Sequence, residues 1–129
     1  MIRGTAAQFK FRLPYSYSDL KDITIKFWQE GNQNELLPII KTKANCVERV
    51  NKEIYVSLRP SETAAFSDRY KAKMQLRATP IFGASFGSKE RLITVYPMPD
   101  DIILDDPADV PVVPTEEGWI ILDGNTIID

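Results

Sequence analysis

Apolar and polar residues alternate with a period of two along much of residues 8–96, the spacing that sends successive side chains to opposite faces of a strand. Phe9, Phe11 and Leu13 fall on one face and Gln8, Lys10 and Arg12 on the other, with Pro14 as the stop. Ile23, Ile25 and Phe27 alternate in the same way with Thr24, Lys26 and Trp28. Gly31-Asn32-Gln33-Asn34 is a turn cluster, and Glu35 to Thr42 is expected as its hairpin partner. Pro38 cannot donate to a ladder, which places it on an edge or at a bulge. Ile54, Val56 and Leu58 alternate with Glu53, Tyr55 and Ser57 in a fourth strand. Pro60 to Phe66 reads as one helical turn with proline at its start. Tyr70, Ala72, Met74, Leu76 and Ala78 then oppose Arg69, Lys71, Lys73, Gln75 and Arg77, and Arg91 to Tyr96 forms a sixth strand after a loop holding Gly83 and Gly87. Cys46 is expected between strands, an idle or buried thiol.

Short strands, each with one wet face and joined by connections too short for a βαβ crossover, predict an all-β fold: a small antiparallel, immunoglobulin-like β-sandwich. A chain of 129 residues suffices for one such domain and no second. Composition then narrows the chemistry. There is no histidine and a single cysteine, which removes Ser-His-Asp and Cys-His nucleophiles, imidazole zinc sites and disulfide frameworks. No acid–base constellation is visible, so a non-enzymatic protein without a cofactor is expected. No apolar run reaches the ~18 residues of a membrane span, and Met1-Ile2-Arg3-Gly4-Thr5 lacks the apolar region of a signal peptide.

Net charge divides the chain. Residues 1–97 hold all 16 Lys and Arg and nine of the 18 acids, a net of +7; residues 98–129 hold the other nine acids and no base, a net of −9. Four of the nine prolines, Pro99, Pro107, Pro111 and Pro114, lie in the second part. Proline stiffness and like-charge repulsion predict an extended acidic C-terminal arm. The expected organisation is a sandwich over 1–97, an acidic Pro-rich linker over 98–118, and a docking strand or hairpin over 119–129. The 21 residues from Met98 to Gly118 reach about 70 Å when extended, so the terminal segment can fold back or reach a neighbour.

Several groups of residues invite a functional reading. Trp119, Ile120, Ile121, Leu122, Ile127 and Ile128 are expected to bind a partner by adding a strand to a sheet edge, with Trp119 as anchor. Alternatively the segment is a closing hairpin turning at Asp123-Gly124 or Gly124-Asn125. Arg69, Lys71, Lys73 and Arg77 offer a basic surface for a polyanion or an acidic partner, or simply a solvated face whose lysines prevent edge-to-edge aggregation. The acidic arm would compete for that surface and no aromatic-interleaved motif is present, which argues against nucleic acid. The pairs Asp100-Asp101 and Asp105-Asp106 lack the alternating ligands of a calcium loop and read as linker rather than a metal site. Gly83 to Ser88 lacks the context of a phosphate loop and reads as a hairpin connection.

Met1-Ile2-Arg3-Gly4-Thr5, Phe9-Lys10-Phe11, Leu58-Arg59-Pro60-Ser61-Glu62-Thr63 through Phe66, Lys73-Met74-Gln75-Leu76-Arg77 and Gly118-Trp119-Ile120-Ile121-Leu122-Asp123-Gly124 resemble small virion proteins of bacteriophages that infect gut bacteria. The body, residues 1–97, is similar in pattern to the N-terminal sandwich of phage baseplate upper proteins. The resemblance implies a structural protein of the virion and supplies no catalytic residue. Baseplate upper proteins continue into long trimeric stalks and this sequence does not, so a head fibre base, a decoration protein or a tail or baseplate accessory is expected. The partners would be other virion proteins and further copies of the same chain, as a homo-oligomer, with no membrane. The alternative is a carbohydrate- or receptor-binding module, which requires Tyr15, Tyr17, Trp28, Tyr55, Phe82 and Phe86 to cluster in a shallow groove.

Overall fold

The computed structural model describes residues 1–98, Asp100, Ile103 and the backbone of the segments Trp119–Asp123 and Thr126–Ile128. The strands are β1 (Ala7–Arg12), β2 (Leu20–Trp28), β3 (Ile39–Thr42), β4 (Cys46–Val50), β5 (Glu53–Leu58), β6 (Ala72–Pro80), β7 (Phe86–Gly87), β8 (Arg91–Ile93), β9 (Trp119–Asp123) and β10 (Thr126–Ile128). One helical turn, α1 (Pro60–Thr63), sits between β5 and β6. Pro60 opens it, and Glu62 accepts a hydrogen bond from the Arg59 N–H (2.9 Å), which satisfies a donor the turn would otherwise leave free.

Two sheets pack face to face. The first runs β10-β9-β1-β5-β4; the second runs β3-β2-β6-β7, with β8 also on β6. Pairing is antiparallel except between β1 and β9. The predicted all-β sandwich is therefore the observed fold, and its order is that of an immunoglobulin domain. β1, β5 and β4 occupy the places of strands B, E and D, and β3, β2, β6 and β8 those of C′, C, F and G. The place of strand A, beside B, is taken by β9 from the far end of the chain.

The inner rows are the alternating sets seen in the sequence. Phe9, Phe11, Ile54, Val56 and Leu58 face Ile23, Ile25, Phe27, Met74, Leu76 and Ala78, all of them buried. Phe9 and Phe27 meet across the sheets with ring centres 5.2 Å apart, a tilted contact of the kind aromatic quadrupoles favour. Residues 94–96 close one end of the sandwich beside the N-terminus. The Met1 amine donates to Thr94 O (2.9 Å), Tyr96 N–H to Met1 O (2.8 Å) and Arg3 N–H to Tyr96 O (3.1 Å).

Four expectations about elements need correction. Cys46 does not lie between strands: it begins β4, whose pairing with β5 slips between Glu48 and Val50. Only Cys46 of that strand is buried, so the alternation that marks a half-buried strand is missing. The partner of β2 is four residues long rather than Glu35 to Thr42; Pro38 precedes it, and β3 is an edge strand, as a missing donor requires. β6 begins at Ala72, leaving Arg69, Tyr70 and Lys71 ahead of it. The sixth expected strand ends at Ile93, and residue 96 pairs with Ile2 instead. Most of the linker, residues 98–118, lies outside the described residues.

Candidate functional site

β1 is where the body's first sheet would stop. Its pairing with β5 runs from Ala7 opposite Leu58 to Arg12 opposite Glu53, which uses one side of the strand. The other side pairs with β9 in parallel register: Lys10 opposite Trp119, Phe11 opposite Ile120, Arg12 opposite Ile121. β10 returns beside β9, Ile127 opposite Leu122, Ile128 opposite Ile121 and Thr126 opposite Asp123; Gly124 and Asn125 of the expected turn dipeptides lie outside the described residues. The six arm residues singled out in the sequence are therefore all in strands, placed along their own chain's sheet.

The outward row of β1 is polar yet covered. Gln8 is 2% exposed and Lys10 8%, while the Arg12 side chain is half exposed. Glu53 on β5 lies between the two cations, with Lys10 Nζ at 3.3 Å and Arg12 Nη2 at 3.0 Å. Burial alone would raise its pKa; hydrogen bonds from Arg12 and Lys10, and their charges, outweigh burial and hold the carboxyl below its ordinary value. Tyr55 stands next on the same face, with the Arg49 guanidinium 4.8 Å and Lys10 Nζ 5.9 Å from its ring centre.

The expected basic row is broken up. Arg69 and Lys71 are exposed residues ahead of β6. Lys73 is on the strand but is held by Glu30 (2.8 Å) and approached by Glu90 (3.6 Å). The hydrogen bond with Glu30 raises the lysine pKa and lowers that of Glu30. Arg77 points from the outer face of β6 into a groove of about 540 Å³. That groove is lined by Asp22 and Thr24 of β2, Gln75, Arg77 and Thr79 of β6, and the 85–88 segment. No signal in the sequence marked it, because each contributing row reads as an ordinary wet strand face.

Of the six aromatics, Phe86 lines this groove. Tyr15 stacks on Phe86 with centres 5.6 Å apart, and the Tyr15 hydroxyl lies beside Gly83. Phe82, next to Gly83, is 89% exposed. The others are dispersed: Tyr17 lies under Lys43 Nζ (4.6 Å), Trp28 under Lys26 Nζ (4.7 Å), and Tyr55 on the opposite sheet. Burial pushes the Cys46 thiol up to about 12, against a smaller pull from Lys41, so the protonated, unreactive form dominates at neutral pH. Of the two aspartate pairs only Asp100 is among the described residues, and no group of metal-ligating side chains occurs among those residues. No helix among them is long and apolar enough to cross a membrane. Compared with known proteins, the chain matches no family model, no curated protein and no solved structure.

Proposed function

We propose that this chain is a non-enzymatic assembly protein that joins copies of itself, and other structural proteins, by exchanging its C-terminal strand. The observation that carries the reading is the parallel β1–β9 pair. A sandwich of immunoglobulin order has its strand-A position filled by a segment reached over some twenty intervening residues. Main-chain bonds supply the attachment, so the same edge accepts the same strand from a neighbouring copy. The setting in a bacteriophage virion, as a head fibre base, decoration protein or tail or baseplate accessory, is supported by the resemblance of the sequence.

A tether of some twenty residues gives the chain's own strand an effective concentration of order millimolar. Exchange therefore prevails where copies are crowded, as on a particle. Light scattering over a concentration series up to about that range tests it. The expected result is a mass that rises from one chain to a defined oligomer, and loss of that oligomer on deletion of residues 115–129. A full-length chain that stays monomeric throughout, or a deletion that leaves the oligomer unchanged, sinks the proposal.

A further inference from the structure

We propose that the groove on the outer face of the second sheet binds a short neutral oligosaccharide. This goes beyond strand exchange and does not depend on it, since the groove and the β1 edge belong to opposite sheets.

The register sets the wall residues in rows, Thr24 opposite Arg77 and Asp22 opposite Thr79, with Gln75 one row further along β6. At ~3.3 Å per residue the β6 wall from Gln75 to Thr79 extends over roughly 13 Å, and the volume of about 540 Å³ lies in the range of small-ligand sites. Gly87 pairs with Arg77 and leaves the floor bare; a Cβ there would meet Leu76 O at 3.1 Å and Arg77 Cγ at 3.2 Å.

The groups facing this space select the ligand. Asp22 and Arg77 supply one charge of each sign, and among the described residues neither side chain has an ion-pair or hydrogen-bond partner. Their charges cancel, so a strongly anionic or cationic ligand gains little. A guanidinium fork, a carboxylate, an amide oxygen and a threonine hydroxyl together match vicinal hydroxyls, which donate and accept at once. The walls are fixed in advance. Ser88 N–H donates to Leu76 O (2.8 Å) and Ser88 Oγ accepts from Leu76 N–H (2.9 Å). Gln75 Nε2 donates to Ser88 O (3.1 Å), and Thr79 and Ser85 share a hydroxyl hydrogen bond (2.8 Å). Preorganised polar groups lose less entropy on binding. The Tyr15-backed ring of Phe86 borders the groove and gives an apolar face for a sugar C–H surface.

The test is NMR titration of the full-length chain with maltohexaose, cellohexaose, xylohexaose and mannohexaose, and with an oligogalacturonate as the anionic arm. At least one neutral sugar is expected to move the Thr24, Gln75, Arg77 and Gly87 amides in a saturable way. Asp22→Asn and Arg77→Ala, both at exposed positions, should each weaken that binding about tenfold or more without changing the melting temperature. The proposal is overturned if no neutral sugar moves these amides, if only the galacturonate does, or if both variants bind as the parent does.

Discussion

Gln29 shows how much a single side chain can hold that a strand pattern does not reveal. It follows β2, is buried, and uses its full amide capacity. Nε2 donates to Ser67 O and Tyr70 O, both 2.7 Å away; Oε1 accepts from Ser67 N–H (2.7 Å) and Asn32 Nδ2 (2.8 Å). Those bonds tie the turn after β2 to the segment that leads into β6. Gln29→Glu keeps the shape but turns two donors into an acceptor facing two carbonyls. A destabilisation of roughly 3 kcal/mol is expected in urea unfolding; an unchanged midpoint would show that the network is not strained by the exchange. Glu53 is the complementary case, a charge rather than an amide. Its folded pKa lies below the unfolded value, so its stabilisation is complete above about 4.3 and disappears as pH falls through the folded value. Glu53→Gln should cost roughly 2 kcal/mol at neutral pH and flatten the decline in melting temperature on acidification. Parallel acid limbs for parent and variant would contradict this.

At the scale of elements, legibility follows how many rows of a strand are buried. β1, β2 and β6 each bury a complete alternating row, and each was readable from spacing alone. β4 buries only Cys46, exposes Val47 and Val50, and uses Glu48 to accept from the Tyr17 and Lys52 N–H groups; nothing periodic remains to be read. The buried outer row of β1 was equally silent, because Gln8 and Lys10 look like any wet face until a neighbour arrives. The terminal strand pair was legible as an apolar segment, but not its parallel place beside β1, which depends on the other end of the chain. That place carries a prediction. A proline at Ile120 removes a backbone donor from β9. Without β9, β1 becomes an open edge of unpaired backbone groups, of the kind that invites non-specific pairing. In Ile120→Pro the β1 amides that point away from β5 should lose their protection in hydrogen exchange and the chain should aggregate more readily. Retained protection at those amides would mean that β9 contributes no ladder there.

For the whole molecule, the −2 of the complete sequence averages a body of +7 and an arm of −9, and this asymmetry acts on kinetics rather than on the end state. A closed chain and a pair of exchanged chains make the same β1–β9 contacts, so the attraction between arm and body is the same in both. What separates them is the path, along which an acidic segment must leave a basic domain. Raising salt from about 0.01 M to 1 M shrinks the screening length from roughly 30 Å to 3 Å and weakens that attraction while leaving the ladder intact. Mixing two isotopically labelled populations should therefore show subunit exchange that speeds up with salt, whereas the final proportion of mixed oligomers stays constant. Asp105→Asn with Asp106→Asn should remove part of the acceleration by lowering the arm's charge. A final proportion that moved with salt would mean that the copies meet through contacts the closed chain does not make. Attachment would then have to be sought on a sheet face instead of the β1 edge.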